Sequence, residues 1–148
     1  MKAENNRFYV DKNVTIRYNS FFKAFYKNKE GSWMKTDIKS FEKWRIVSLE
    51  GKFIVKYIAQ IRKVIEPLDK MDLPLIAFDL SATTHMDSSA ITLIMNYNKL
   101  LLAKKGKLVL FGANEDITGI INIVGLDVTV PLFKTHADFE LSVRLKNI

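Results

Sequence analysis

Strand-like and helix-like segments alternate along this 148-residue chain, which predicts an α/β domain with helices layered on a mixed or parallel sheet. "LPLIAFDL" and "KLVLFG" are short, almost continuous apolar runs of the kind shown by strands buried on both faces. Between them, apolar residues recur at helical spacing from Ile91 to Leu102. Hydrophobic residues make up 48% of the chain and charged residues 26%, which suits one ordinary core in a chain too short for two.

In chain order, "KWRIVSLEG" carries β-branched and aromatic residues and reads as a strand leaving through a turn at Gly51. Phe53, Ile54, Tyr57, Ile58, Ile61, Val64 and Ile65 follow at three- and four-residue steps and predict a helix that Pro67 ends. "LPLIAFDL" is the next strand, and "SATTHMD" is the loop that leaves its carboxyl end. Asp87 is the expected N-cap of the following helix, its carboxylate accepting from the backbone N–H of Ser89 or Ala90. Ile91, Ile94, Met95, Leu101 and Leu102 predict the apolar face of that helix, and Met86 and Met95 are expected in the core. Lys104 and Lys105 favour its carboxyl end, and Gly106 is expected to supply the left-handed stop. "KLVLFG" is a buried strand, "NEDITGIINIVG" a short helix with acids in its first turn and Gly125 at its end, and "VTVPLF" an edge strand holding Pro131. Thr135 caps a last helix with Asp138 three residues on.

Composition narrows the function classes. The chain has no cysteine, so disulfides and thiolate metal sites are ruled out and a cytoplasmic location is expected. Its apolar runs stop well short of the roughly 20 residues a membrane span needs. The formal charge is +7, but residues 1–33 hold seven Lys/Arg against three Asp/Glu, and the remainder is nearly balanced. No direct nucleic-acid partner is therefore expected of the core. With no glycine-rich phosphate loop or dinucleotide fingerprint, no cofactor is expected either.

The loop before Ser88 concentrates the chemistry. In an open α/β sheet, ligands and partners meet the loops at the carboxyl ends of strands. Asp87 has capping to do, whereas Ser88 falls at the first helical position with no structural task for its hydroxyl. Three roles stay open on local grounds: capping, nucleophilic chemistry, or a surface that another protein reads and modifies. His85, Asp87 and Ser88 contain the letters of a hydrolytic triad, yet adjacent residues on one loop rarely converge as base, acid and nucleophile, and the nucleophile elbow is absent. No catalytic residue is expected. A metal site is not expected, because His85 and Asp87 offer only two ligands and His136 is distant in sequence.

The stretch "LIAFDLSATTHMDSSAITLIMNYNKLLLAKKGKLVLFGANEDITGIINIVGLD" carries Asp79-Leu80, Asp87-Ser88-Ser89 and Gly125-Leu126 in order. With these motifs the chain from about Met34 to its end resembles the STAS domains of bacterial anti-sigma factor antagonists. The resemblance implies a mixed sheet of about four to five strands layered with about four helices. It also implies a partner surface at Thr84, His85, Asp87, Ser88 and Ser89, with Ser88 phosphorylated by an anti-sigma factor serine kinase. On that reading the unmodified protein sequesters the kinase and frees a sigma factor; the alternative is a non-switching STAS subunit or scaffold in a transport or sensory assembly. The chain departs from the family pattern in three places. Ala90 stands for a glycine and is expected to add bulk where a partner approaches. Ile54 stands where switching antagonists commonly carry an aspartate, and Lys52 reverses the sign beside it. Whether the chain self-associates stays open.

Residues 1–33 read as an extension to a domain spanning 34–148. Between Phe8 and Trp33 they hold eight of the seventeen aromatics without a sustained period. Three origins stay open: an added strand and helix, a basic-aromatic segment touching membrane or partner, or upstream sequence that is not translated. The last follows from Met34 as an alternative start, with Lys29-Glu30-Gly31 encodable by a ribosome-binding sequence.

Overall fold

A computed structural model describes residues 6–11, 14–18, 22–27 and 33–148, with side chains from residue 34 onward. The Lys29-Glu30-Gly31 stretch lies outside the described residues. Nine strands are described: β1 (Asn6–Asp11), β2 (Val14–Tyr18), β3 (Phe22–Lys27), β4 (Trp33–Phe41), β5 (Trp44–Phe53), β6 (Leu75–Asp79), β7 (Thr83–Met86), β8 (Lys107–Phe111) and β9 (Leu132–Phe133). The helices are α1 (Ile58–Ile65), α2 (Ser88–Ala103), α3 (Glu115–Ile123) and α4 (His136–Arg144). The strands form one mixed sheet in the order β1-β2-β3-β4-β5-β6-β8-β9, and β7 pairs with the end of β5. Pairing is antiparallel from β1 to β5 and parallel from β5 onward.

Sheet register sorts the core into two layers. Ile38 lies opposite Val47 and Val47 opposite Phe78, and these residues join Phe53, Ile61, Ile94, Ile117 and Ile121 in the larger core under α1, α2 and α3. The alternate positions Ile46, Ala77 and Val109 face the other way, as the two-residue period of a strand requires, and pack with Phe139 of α4. Phe139 meets Trp44 edge-on at 5.4 Å and stacks on Phe111 at 5.1 Å between centroids, so one aromatic anchors α4 to the sheet.

The expected mixed α/β architecture with four helices is present, with more strands than the four or five expected. β4 and β7 account for two. β4 does alternate, with Met34, Thr36 and Ile38 buried between exposed or half-buried neighbours, but its polar content conceals the pattern. β7 lies inside the expected "SATTHMD" loop and is too short to show a period. Among the described residues, β1, β2 and β3 are the added elements of the N-terminal segment, with no helix beside them.

Several boundaries move for identifiable reasons. β5 runs past Gly51 to Phe53, because Gly51 at φ 109° makes an irregularity where β5 exchanges β6 for β7 as its partner. Phe53 and Ile54 are therefore extended rather than helical, and a 3₁₀ turn over Val55–Tyr57 precedes α1. Pro67 tightens the chain into a second 3₁₀ turn, Glu66–Lys70. Met95 and Leu102 are 44% and 54% exposed, so the buried stripe of α2 runs instead through Ala90, Ile91, Leu93, Ile94, Tyr97, Asn98 and Leu101. The left-handed residue after α2 is Lys105 at φ 58°, and the Gly106 N–H donates to the Leu101 carbonyl at 2.8 Å. Gly106 is needed for space: a Cβ there would overlap the Pro74 carbonyl oxygen and stand 2.6 Å from its Cγ. Only Leu132 and Phe133 of "VTVPLF" form a strand, since Leu126–Val128 is a 3₁₀ turn. Gly125 is left-handed at φ 71° and ends α3 as expected.

Tyr97 joins α2 to α1. Its ring stacks on Phe78 at 5.8 Å, and its hydroxyl donates to the Ile65 carbonyl at 3.3 Å, satisfying a carbonyl at the end of α1. Burial first, and the Asp69 carboxylate second, push the phenol well above its ordinary range, which keeps it a neutral donor.

Candidate functional site at the start of α2

The site forms where two parallel strands end side by side. β5 and β7 pair Lys52 with His85 and Phe53 with Met86, then lead into the Val55–Tyr57 turn and α2 respectively. Asp87 joins these two exits. Its Oδ1 accepts from the Ala90 N–H at 3.1 Å, which is the expected cap, and its Oδ2 accepts from the Val55 N–H at 2.8 Å. Its own N–H donates to the Phe53 carbonyl at 3.3 Å. The carboxylate thus stands at two chain turns that both present backbone donors, where a negative charge is favoured.

Ser88 is exposed at the first helical position, and no hydrogen bond engages its hydroxyl among the described residues. Its carbonyl accepts from Thr92 Oγ1 at 2.9 Å, a contact of the backbone alone. Ser89 is half-buried. Thr84 and His85 are exposed on β7, with His85 Nδ1 3.0 Å from Thr84 Oγ1. All five expected residues therefore lie on one continuous segment, β7 into α2. His85 is directed at Thr84 and Asp87 at backbone amides, so the three residues of the triad motif do not form a relay. His136 is on α4, across the sheet, where it stacks on Phe111 at 4.8 Å and meets Glu140 at 3.1 Å. No cluster of three metal-ligating side chains occurs among the described residues.

The departures from the resembled pattern have structural outcomes. Ala90 is fully buried in the larger core, which corrects the expectation that its methyl adds bulk toward a partner. Ile54 is half-buried and packs against that core. Lys52, Val55 and Lys56 are exposed around it, Val55 at 66%. Sequence reasoning missed Val55, whose link to Asp87 spans 32 residues and has no local signature. Asp79 closes the preceding loop, with Oδ1 accepting from the Ser81 N–H at 2.9 Å and Oδ2 from Ser48 Oγ at 3.2 Å.

A mixed sheet under three helices on one face and one on the other, with a capped helix start presenting an exposed serine, defines a layered α/β module built around that helix start. The STAS domain model matches residues 35–139, and the chain belongs to that family. Its structure is similar to an anti-sigma factor antagonist from Mycobacterium paratuberculosis, with 20% identity, a TM-score of 0.69, and coverage of 80% of this chain and 98% of that one. It is also similar to the phosphorylated form of the Bacillus cell fate determinant SpoIIAA, with 18% identity, a TM-score of 0.58, and coverage of 73% and 98%. A sulfate transporter family protein from Wolinella succinogenes shares the fold at 13% identity and a TM-score of 0.60, with coverage of 69% and 85%. At these identities the likeness establishes the fold. No curated protein sequence matches the chain at a significant level. Among the described residues, no helix is long and apolar enough to cross a membrane.

Proposed function

We propose that the protein is an anti-sigma factor antagonist, a protein-binding switch whose unmodified α2 start sequesters an anti-sigma factor kinase and frees a sigma factor. The observation that carries this reading is the division of labour between adjacent residues. Asp87 uses both carboxylate oxygens on backbone amides, and Ser88 beside it is exposed with its hydroxyl unengaged. The serine oxygen takes the γ-phosphoryl group of ATP, ADP leaves, and the hydroxyl proton passes to a base of the kinase. The product adds about −1.5 to −2 charges at a helix start that tolerates an anion, so the fold survives. Docking does not, because the same charge is desolvated against the partner beside the Asp87 carboxylate.

Incubation with ATP and the cognate kinase, followed by mass-spectrometric mapping, is expected to place the phosphate on Ser88. Labelling confined to Ser89, or none by a kinase that binds, defeats the reading. Ser88→Asp is expected to stay folded and lose kinase binding, and Ser88→Ala to bind without regulation.

A second reading, a STAS module that docks without modification, is supported by Ile54 and Lys52 and by the shared fold of the transporter family protein. A transporter gene beside this one, in place of kinase and sigma factor genes, favours it.

A further inference from the structure

We infer that one face of the sheet formed by β1, β2 and β3 binds single-stranded nucleic acid, because strand register lines up their cations in a row with aromatic residues in the next row. Directly opposed residues of an antiparallel pair share a face, as do alternate residues of one strand. Tyr26 lies opposite Met34 and Phe22 opposite Ile38, so Tyr26, Ala24 and Phe22, with Ile16 and Phe8 in register beyond Ala24, fall on the face of Met34 and Ile38. No Lys or Arg of the three strands falls there. Arg7, Arg17, Lys23 and Lys27, which are all the Lys and Arg of these strands, share the second face. Arg7 lies opposite Arg17 and Arg17 opposite Lys23, and the next row is Tyr9, Thr15 and Phe25. Along β3 that face reads Lys23, Phe25, Lys27.

Like charges directly opposite one another weaken strand pairing, so a row of three costs the sheet something that a bound polyanion removes. Asp11, past the irregularity between Tyr9 and Asp11, is the one acid on these three strands. Lys23 lies opposite Asp37 of β4, but Asp37 also meets Lys39 at 3.7 Å, and Glu50 of β5 meets Lys35 at 3.3 Å. Cations alternating with aromatic residues are the two parts of a single-strand site, since cations neutralise phosphates and unpaired bases stack on aromatic rings whatever the sequence. A duplex stacks its bases on one another and leaves the aromatic row without a role. The face belongs to strands added beyond β4, whereas the α2 start lies at the ends of β5 and β7, so the inference does not depend on kinase docking.

The test titrates fluorescently labelled oligo(dT) and oligo(U) with the full chain and follows anisotropy over a range of salt concentrations. Wild type is expected to bind both, more weakly as salt rises. An Arg7→Thr/Arg17→Thr/Lys23→Thr variant, which keeps residues suited to strands, is expected to lower the salt slope of the logarithmic binding constant by about 2, at about 0.7 for each cation removed. Tyr9→Thr/Phe25→Thr is expected to weaken binding about tenfold at every salt concentration. The exposed lysines of Lys70→Gln/Lys99→Gln/Lys134→Gln provide a control with the same change in net charge, expected to stay within about twofold of wild type. The row variant is expected to melt no lower than wild type, because it relieves opposed like charges, which separates loss of ligand from loss of fold. Should it unfold, Arg17→Thr alone carries the test, with a slope lower by about 0.7. Failure of wild type to bind either oligonucleotide, or an equal loss in the row variant and the control, overturns the inference. Binding to phosphatidylglycerol vesicles without binding to oligonucleotides also overturns it and assigns the face to anionic lipid.

Discussion

Asp87 occupies both carboxylate oxygens and its own amide, while Ser88 beside it leaves a hydroxyl in solvent. The first residue is structural in every contact it makes; the second is structural only through its carbonyl. Asp87→Ala removes the carboxylate that caps the Ala90 amide and accepts from the Val55 amide, although water can replace the latter contact. A lost cap costs about 0.5–2 kcal/mol, so urea denaturation of Asp87→Ala is expected to show a loss in that range. Amide exchange at both Val55 and Ala90 is expected to accelerate. Unchanged exchange at Val55 would show that the link between the two turns is absent in solution.

Elements in this fold are placed by contacts that their own sequence does not display. The last turn of α2 and the start of β8 meet Pro74, just before β6, so closely that only a glycine fits between them. The Lys107 N–H donates to the Pro74 carbonyl at 3.0 Å, which locks the two strand entrances together at that point. Gly106→Ala must displace this backbone. Forcing a methyl into a filled site typically costs about 1–3 kcal/mol, and thermal unfolding is expected to show it. Gly119→Ala, where a Cβ meets nothing within 4 Å, is expected to hold or gain stability because it replaces a helical glycine. If both substitutions behave alike, the approach of Pro74 to Gly106 is not what sets the cost.

Across the molecule, the sheet extends beyond the layered domain through β1, β2 and β3, which continue from the β4 edge. The family match begins at residue 35, and the residues from Met34 onward supply buried apolar side chains on both faces of the sheet. Residues 34–148 are expected to fold and bind without the segment before them. Removing β3 exposes the edge of β4, and Met34, only 1% exposed, lies on that strand. The expected loss is therefore real but below about 2 kcal/mol, the value of one large apolar side chain. Denaturation of the 34–148 fragment against the full chain measures it. Aggregation or a larger loss would show that the first three strands cover core surface. An intact-mass measurement on endogenous protein decides separately whether translation starts at Met1 or Met34.

What could be read from the residues alone is whatever depends on a few neighbouring positions. The Asp87 and Thr135 caps act three residues away, the Gly125 stop depends on its own φ, and the "LPLIAFDL" and "KLVLFG" strands declare themselves by composition. The five residues that the STAS resemblance implies as a partner surface lie within one short motif, which the structure places on β7 and the start of α2. The rest depended on which distant segments came together. β7 is a strand because β5 bends toward it at Gly51, Ala90 is core because α2 turns that face inward, and Gly106 is required by Pro74 rather than by its own backbone angle. Val55 belongs to the site through a carboxylate 32 residues away. Periodicity and capping are local and leave a trace in the letters, whereas strand pairing and close packing are set by chain closure over tens of residues, which no short window of sequence records.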